Sequence, residues 1–209
     1  AEDIVNGCTF DNNLPCIAEK EIVAVDSIAD ELMHYMVSEQ GCYLASKEEQ
    51  DALTEVVLKG GKLNRKCVGR DAKTLLGMIG VQVPDNIRCI TFEGPKEHPL
   101  IATELMMPIL GVVRAKDFDD AVEQAVWLEH GNRHSAHIHS KNIDNITKYA
   151  KAIDTAILVK NGPSYSALGF GGEGFCTFTI ASRTGEGLTS ASTFTKRRRC
   201  VMTDSLCIR

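Results

Sequence analysis

The sequence carries no excess of positive charge. Its formal net charge is −5 at pH 7, which gives no reason to expect a nucleic acid partner. It has no apolar run long enough to span a bilayer and no secretory signal pattern at its start, so neither membrane insertion nor export is expected. Its eight cysteines form no CxxC pair, and at 209 residues the chain is too long and too regular for a disulfide-stapled secreted scaffold. Free thiols in a cytoplasmic protein fit best. No GxxxxGK(S/T) loop and no GxSxG elbow occurs, which removes the common phosphate-cradling loop and the serine-hydrolase nucleophile. Repeats and low-complexity segments are missing as well. The chain opens on Ala1 and not on Met, which suits a processed protein and an excised fragment equally.

What is present is an ordinary globular composition, 44% hydrophobic and 24% charged, enough for one large domain or a core with appended strands. One basic run, Lys196-Arg197-Arg198-Arg199, reads as an anion contact or, more commonly, as a solvated strand face or a charge-paired subunit contact.

Strands and helices alternate along the chain. A helix over Ala1 to Cys8 leads through a polar loop to an apolar strand from Glu21 to Asp26. A helix from Ile28 to Val37 follows. The capping-box pattern Ser46-Lys47-Glu48-Glu49 opens a second helix that Gly60-Gly61-Lys62 ends, and a third runs from Asp71 to Met78. Val81 to Pro84 is a connector and Arg88 to Glu93 a strand. Pro108 divides the apolar stretch Leu105 to Val113 into a loop and a strand from Ile109 to Arg114. Asp117 caps an amphipathic helix whose C′ residue is read as Gly131. Ser135 to Ser140 alternates at period two, a helix begins at Asn142 or Asp144, and Ala156 to Lys160 is a buried strand. The stretches Phe175 to Ala181 and Cys200 to Ile208 are β-rich. The pattern predicts an α/β fold with a mainly parallel sheet flanked by helices. The last stretch has no following helix and reads as a projecting edge strand that pairs with another chain.

Chemistry centres on thiols. Among the eight, Cys16 has the most polar, loop-like setting, in Phe10-Asp11-Asn12-Asn13-Leu14-Pro15-Cys16. A thiol is the side chain that most readily becomes a nucleophile near neutral pH. From that stretch alone, a small apolar residue tucked under a turn is the better explanation of Cys16, since buried inert cysteines are common. Cys8, Cys89, Cys176 and Cys200 sit in apolar or strand patterns. His134, at the start of a strand, is a candidate acid or base beside a thiol, with a surface or hydrogen-bonded loop histidine slightly ahead. His137 and His139 would share a strand face, the beginning of a metal site, but no cysteine or carboxylate falls at matching spacing. No metal is therefore expected. Glu104 precedes Leu105-Met106-Met107-Pro108 in a loop, as a solvated carboxylate or an acceptor for sugar hydroxyls. Gly169-Phe170-Gly171-Gly172-Glu173-Gly174 satisfies GxGxxG. A β-rich stretch follows it where a dinucleotide fingerprint needs a helix, so that reading fails. A glycine-rich loop at the end of a parallel strand remains, with a tight turn of equal weight.

Taken in order, these stretches resemble the aldehyde dehydrogenase superfamily, and within it the CoA-acylating aldehyde dehydrogenases associated with bacterial propanediol and ethanolamine utilisation. The resemblance rests on the Phe10 to Cys16 stretch, Glu104 to Pro108, His130-Gly131-Asn132-Arg133-His134-Ser135, Val159 to Ser164, Gly169 to Gly174, Thr184-Gly185-Glu186-Gly187 and Arg197 to Val201. It covers essentially the whole chain. It implies that Cys16 is the catalytic thiol, forming a thiohemiacetal and then a thioacyl enzyme with NAD as hydride acceptor and CoA as acyl acceptor. It further implies that Glu104 meets the nicotinamide-side ribose and that Gly169, Gly171 and Gly172 line the substrate side. Residues 1–195 would form the thiol-bearing catalytic domain and 196–209 an oligomerisation strand and tail, with the family's N-terminal dinucleotide-binding domain absent. A short-chain aldehyde substrate, a homo-oligomer of the full-length protein, and microcompartment shell or cargo enzymes as partners are implied too. Localisation would be cytoplasmic, inside a bacterial microcompartment. Asn13-Leu14-Pro15 and Met106 replace residues usual in general aldehyde dehydrogenases and suit the acylating branch, whereas Ser192 stands where that branch usually has arginine. Without a held hydride acceptor the isolated chain is expected to show no substantial NAD-dependent turnover. The competing readings are a non-catalytic assembly module with an inert Cys16 and, more remotely, a histidine-based metal enzyme.

Overall fold

The computed structural model describes residues 1–173, 176–180, 188–201 and 203. In chain order the elements are α1 (Glu2–Thr9), β1 (Glu21–Val25), α2 (Asp26–Ser38), β2 (Cys42–Leu44), α3 (Lys47–Val57) and α4 (Ala72–Met78). Then come β3 (Cys89–Glu93), α5 (Pro99–Ala102), β4 (Ile109–Ala115), α6 (Phe118–Leu128), β5 (Ser135–Ile138), α7 (Ile143–Ile153) and β6 (Ile157–Lys160). Four strands form a parallel sheet in the order β1-β4-β3-β2, and β5 and β6 form a separate parallel pair. The expected single sheet is thus two, because β5 pairs with β6 alone among the described residues.

Local chemistry sets most helix starts. Ser46 accepts the Glu49 N–H while the Glu49 carboxylate takes the Ser46 N–H, completing the capping box. Asp71, Asp117 and Asn142 each accept backbone N–H groups at the starts of α4, α6 and α7. Two short elements escaped the sequence reading: the three-residue β2 and α5, a single turn with Pro99 at its start and His98 Nδ1 accepting the Leu100 N–H. At the end of α6 it is His130 that takes the left-handed conformation directly after the cap, at φ 57°, with Gly131 following at 74°.

The four-stranded sheet is buried on both faces, which is why β3 and β4 read as nearly continuous apolar runs. Alternate residues face opposite sides. Ile90, Phe92, Ile109 and Val113 meet α3, α4 and α5 through Leu53, Val57, Leu75, Leu76 and Leu100. Cys89, Leu110 and Val112 meet α1 and α2 through Val5, Cys8, Ala29 and Met36. Helices α6 and α7 cover β5, and Ile17, Ile157, Val159 and Leu168 form a small core under the loop after β6. No helix among the described residues is long and apolar enough to cross a membrane.

The C-terminal expectation fares differently. Cys176 to Thr179 form no strand, and a single antiparallel bridge joins Ile180 to Leu188. The stretch Lys196 to Val201 is exposed and irregular, so its basic run is not on a strand face within this chain. Without a partner strand the backbone groups of such a segment go to solvent. Residues 181–187, 202 and 204–209 lie outside the described residues, and with them Thr184 to Gly187 and most of the proposed strand.

Gly111, in the middle of β4, has no Cβ because Ile101 crosses there; an added Cβ would overlap the Ile101 side chain and lie 3.2 Å from Phe92 Cζ. Gly111→Ala should cost about 1–3 kcal/mol, read as a lower urea midpoint at unchanged slope. Gly77→Ala, in α4 with nothing within 4 Å of the new methyl, should instead gain about 0.5–1 kcal/mol.

Candidate active site

Between α1 and β1 the chain reverses through Asp11, Asn12 and Asn13, whose φ angles are 47°, 50° and 64°. Three consecutive left-handed residues without glycine are sustainable because Asp and Asn tolerate this region best among side-chain-bearing residues. Side chains lock the turn. Buried Asn13 donates to the carbonyls of Cys8 (3.0 Å) and Glu19 (2.7 Å), and Asn12 donates to that of Gly69 (3.1 Å). The Ala18 N–H bonds the Pro15 carbonyl at 2.9 Å, which puts Cys16 and Ile17 at the bend. Ile17 turns inward and Cys16 outward.

His134 ends the α6–β5 connection, where its N–H is held by Glu129 Oε1 at 3.1 Å. Its Nε2 lies 3.5 Å from Cys16 Sγ, and its Nδ1 lies 3.0 Å from Ser135 Oγ. With Nδ1–H donating to the hydroxyl, Nε2 is left to accept the thiol proton. His134 directly precedes β5, and Cys16 lies five residues before β1. The pair therefore gathers at strand N-termini, whereas the glycine loop follows the C-terminal end of β6 as expected.

Desolvation pushes the Cys16 thiol above its usual value, opposed by its own backbone N–H and by Lys20 and reinforced by Glu104. Desolvation also pushes His134 down, assisted by Lys20 and opposed by Glu104 and Glu129. Shifts of opposite sign leave a neutral thiol beside a neutral imidazole at pH 7, ready for proton transfer as the sulfur attacks. Exposure alone does not single out Cys16. Cys176 and Cys200 are exposed too, not in the strand settings read from their neighbours, while Cys8, Cys42, Cys67 and Cys89 are buried. Cys207 lies outside the described residues.

Glu104 sits beside this pair. Its carboxylate is 52% exposed and takes an ion pair from Lys20 at 2.9 Å. That exposure leaves an oxygen open to hydrogen-bond donors. Gly69 N–H bonds the Met106 carbonyl at 2.9 Å, and Gly69 also packs on Leu14, tying the Glu104 segment to the thiol turn. Gly169 (φ 88°) ends the 3₁₀ turn Ser164–Leu168, Gly171 follows at 72°, and a Cβ on Gly172 would lie 2.6 Å from the Ser166 carbonyl. Phe10, Tyr165 and Phe170 cluster with ring centroids 5.4–6.3 Å apart, bringing the glycine loop against the thiol turn. A groove of about 940 Å³ runs along β6, lined by Val159, Gly172, Leu188 and Arg197 among others; Cys16, His134 and Glu104 lie outside it. Among the described residues no three His, Cys, Asp or Glu side chains gather to hold a metal ion. Burial pushes His137 down to about 4, and its Nε2 has no partner, while His139 faces Asp3 at 4.0 Å.

Sequence reading missed the charged run Glu19-Lys20-Glu21. It was visible three residues past the thiol but was absorbed into the approach to a strand. Glu19 is buried, accepts the Ser164 N–H at 2.8 Å through Oε1 and leaves Oε2 unpartnered against Gly7, where a Cβ would collide with it. Burial raises both Glu19 and Glu21 to about 7.

No protein-family model matches the chain. Over 98% of its length it is 47% identical to the acetylating acetaldehyde dehydrogenase EutE of Salmonella typhimurium, of which it covers 45%. It matches a propionaldehyde dehydrogenase from the Clostridium phytofermentans fucose utilisation bacterial microcompartment at 81% identity and a TM-score of 0.93, covering 100% of this chain and 48% of that one. Two further structures of that enzyme carry alanine in place of a histidine and of a cysteine, at positions 118 residues apart. A propionaldehyde dehydrogenase of Rhodopseudomonas palustris, solved with bound CoA and an acylated cysteine, matches at 52% identity and a TM-score of 0.91, covering 96% of this chain and 46% of that one. The parallel sheet flanked by helices is thus that of an aldehyde dehydrogenase catalytic domain. More narrowly, the chain belongs to the CoA-acylating aldehyde dehydrogenases. It spans about half the length of the curated relatives it matches.

The fold holds the Glu19 proton between its usual 4.5 and about 7. Stability from this group is therefore greatest below pH 4.5, falls as pH rises through that window and is level above it. Glu19→Gln keeps an acceptor for Ser164 and removes the titration. Its stability relative to the parent should rise by on the order of 1–3 kcal/mol between pH 4.5 and 8 in denaturant melts. A difference that does not vary with pH would mean that Glu19 takes up no proton on folding.

Proposed function

We propose that this chain is the thiol-bearing catalytic part of an enzyme that converts a short-chain aldehyde, CoA and NAD into acyl-CoA and NADH. The 3.5 Å approach of His134 Nε2 to Cys16 Sγ carries the reading. Support comes from the acylated cysteine of the Rhodopseudomonas relative and from the cysteine and histidine replaced in the Clostridium enzyme, whose spacing equals that of Cys16 and His134.

The Cys16 sulfur attacks the aldehyde carbonyl carbon while its proton passes to His134 Nε2, giving a thiohemiacetal oxyanion, and His134 then releases that proton to solvent and is neutral again. The backbone N–H of Cys16 offers one hydrogen bond to the oxygen that gains charge. Glu104 would hold the ribose hydroxyls of NAD, which when bound would supply the acceptor for the hydride of the thiohemiacetal carbon. A thioester then remains on Cys16. The CoA thiol gives its proton to the neutral His134 imidazole and takes the acyl group, and the proton returns to the Cys16 sulfur as leaving group. Gly169, Gly171 and Gly172 would border the aldehyde, with Phe10, Tyr165 and Phe170 behind them. Residues 1–195 serve as the catalytic unit and 196–209 as a strand and tail that pair with a second copy. The Clostridium relative comes from a microcompartment, which supports the same cytoplasmic setting here, with shell or cargo enzymes as neighbours.

The acyl-transfer half of the reaction needs no NAD, so propionyl-CoA is a direct probe. It should place one propionyl group on Cys16, located by peptide mass mapping. Cys16→Ala should abolish that adduct, and His134→Ala should slow its formation about 10²-fold or more. Equal acylation of Cys16, Cys176 and Cys200 would defeat the assignment.

A further inference from the structure

Three charged residues, Glu19-Lys20-Glu21, begin three positions past the thiol on the way into β1, and the middle one pairs with Glu104. Lys20 Nζ lies 2.9 Å from Glu104 Oε1, with the lysine side chain only 29% exposed. The lysine end of the pair is sheltered while the carboxylate end is 52% exposed, so solvent screens the pair in part. The positive charge of Lys20 acts on Cys16, His134, Glu21 and His137, and the negative charge of Glu104 acts on Cys16, Glu21 and His134 in the opposite sense. Glu129 adds its negative charge at His134, and His139 acts on His137 through charge, in the same direction as burial. Among the described residues, Lys20 and Glu104 are the charged side chains that act on the Cys16 sulfur. At that sulfur, Lys20 and Glu104 therefore act in opposite directions.

We propose that Lys20 is a positioning residue that couples the occupancy of Glu104 to the reactivity of Cys16. While Glu104 is free it holds the ammonium and offsets its charge. When the carboxylate turns to the hydroxyls of a nucleotide ribose, Lys20 is released toward the sulfur and favours the thiolate. The thiol is thereby most reactive once the hydride acceptor is in place. The ribose step rests on the reading of Glu104 given above; the link between Lys20, Glu104 and the sulfur does not.

The test is the pH dependence of Cys16 alkylation by iodoacetamide, followed at the Cys16 peptide in the parent chain, Lys20→Gln, Lys20→Arg, Glu104→Gln and the Lys20→Gln/Glu104→Gln double variant. Lys20→Gln should move the midpoint up by about one pH unit, and Lys20→Arg should restore it. Glu104→Gln, which mimics withdrawal of the carboxylate, should move it down by about one unit. In the Lys20→Gln background the Glu104→Gln shift should shrink to less than half, because the charge it releases is gone. A merely structural role would change the unfolding midpoint and leave the pH midpoint in place. Shifts that simply add in the double variant, or a Lys20→Gln profile identical to the parent's, would overturn the coupling. Failure of propionyl-CoA to acylate Cys16 would instead count against the functional reading. A Cys16 that acylates normally yet ignores Lys20 counts against this inference alone.

Discussion

The carboxamide of Asn13 is the point on which the site hangs. It is buried and bridges the carbonyl of Cys8, in the last turn region of α1, to the carbonyl of Glu19, just ahead of β1. The first carbonyl lies in α1 and the second two residues before β1, so the bridge closes the turn that carries the thiol. Without the bridge, three left-handed residues in a row would cost of order 1–3 kcal/mol each with nothing to compensate, and the bend carrying Cys16 would relax. The same turn is tethered sideways, through Asn12 and Leu14, to Gly69 and from there to Met106. One amide thus fixes the sulfur relative to α1 and β1, and one glycine fixes it relative to the Glu104 segment.

Glu19 shows how closely this framework is filled. Its carboxylate reaches the Ser164 N–H across the molecule, in space left by the missing side chain of Gly7. Backbone from α1, from the approach to β1 and from the loop after β6 therefore converge on one buried acid. The loop after β6 also carries the glycines and Phe170, whose ring joins those of Phe10 and Tyr165. The glycine loop and the thiol turn are held in register by ring contacts and one buried carboxylate.

Elements whose signals are local could be read from the sequence. The Ser46 box, Asp117 and Asn142 announce helices because a cap and its acceptors lie within three residues. The buried runs of β3 and β4 were equally plain. Tertiary pairing was not: that β5 and β6 stand apart from the other four strands depends on which edges meet, and residue pattern does not encode this. Four-residue α5 and three-residue β2 are too short for periodicity to register. The site divides in the same way. Cys16 could be singled out by its polar loop, but its contact with His134 spans 118 residues, and only the order of family motifs hinted at it. Lys20 was legible as a charge and illegible as a partner of Glu104, 84 residues away.

The resting pair is uncharged, a thiol beside an imidazole and not a thiolate beside an imidazolium. Oxidation by peroxide follows thiolate character, and so does capture by stray soft electrophiles. A site that keeps its proton until a carbonyl arrives is shielded during idle time from both. An exposed cysteine is thereby protected by its ionisation state.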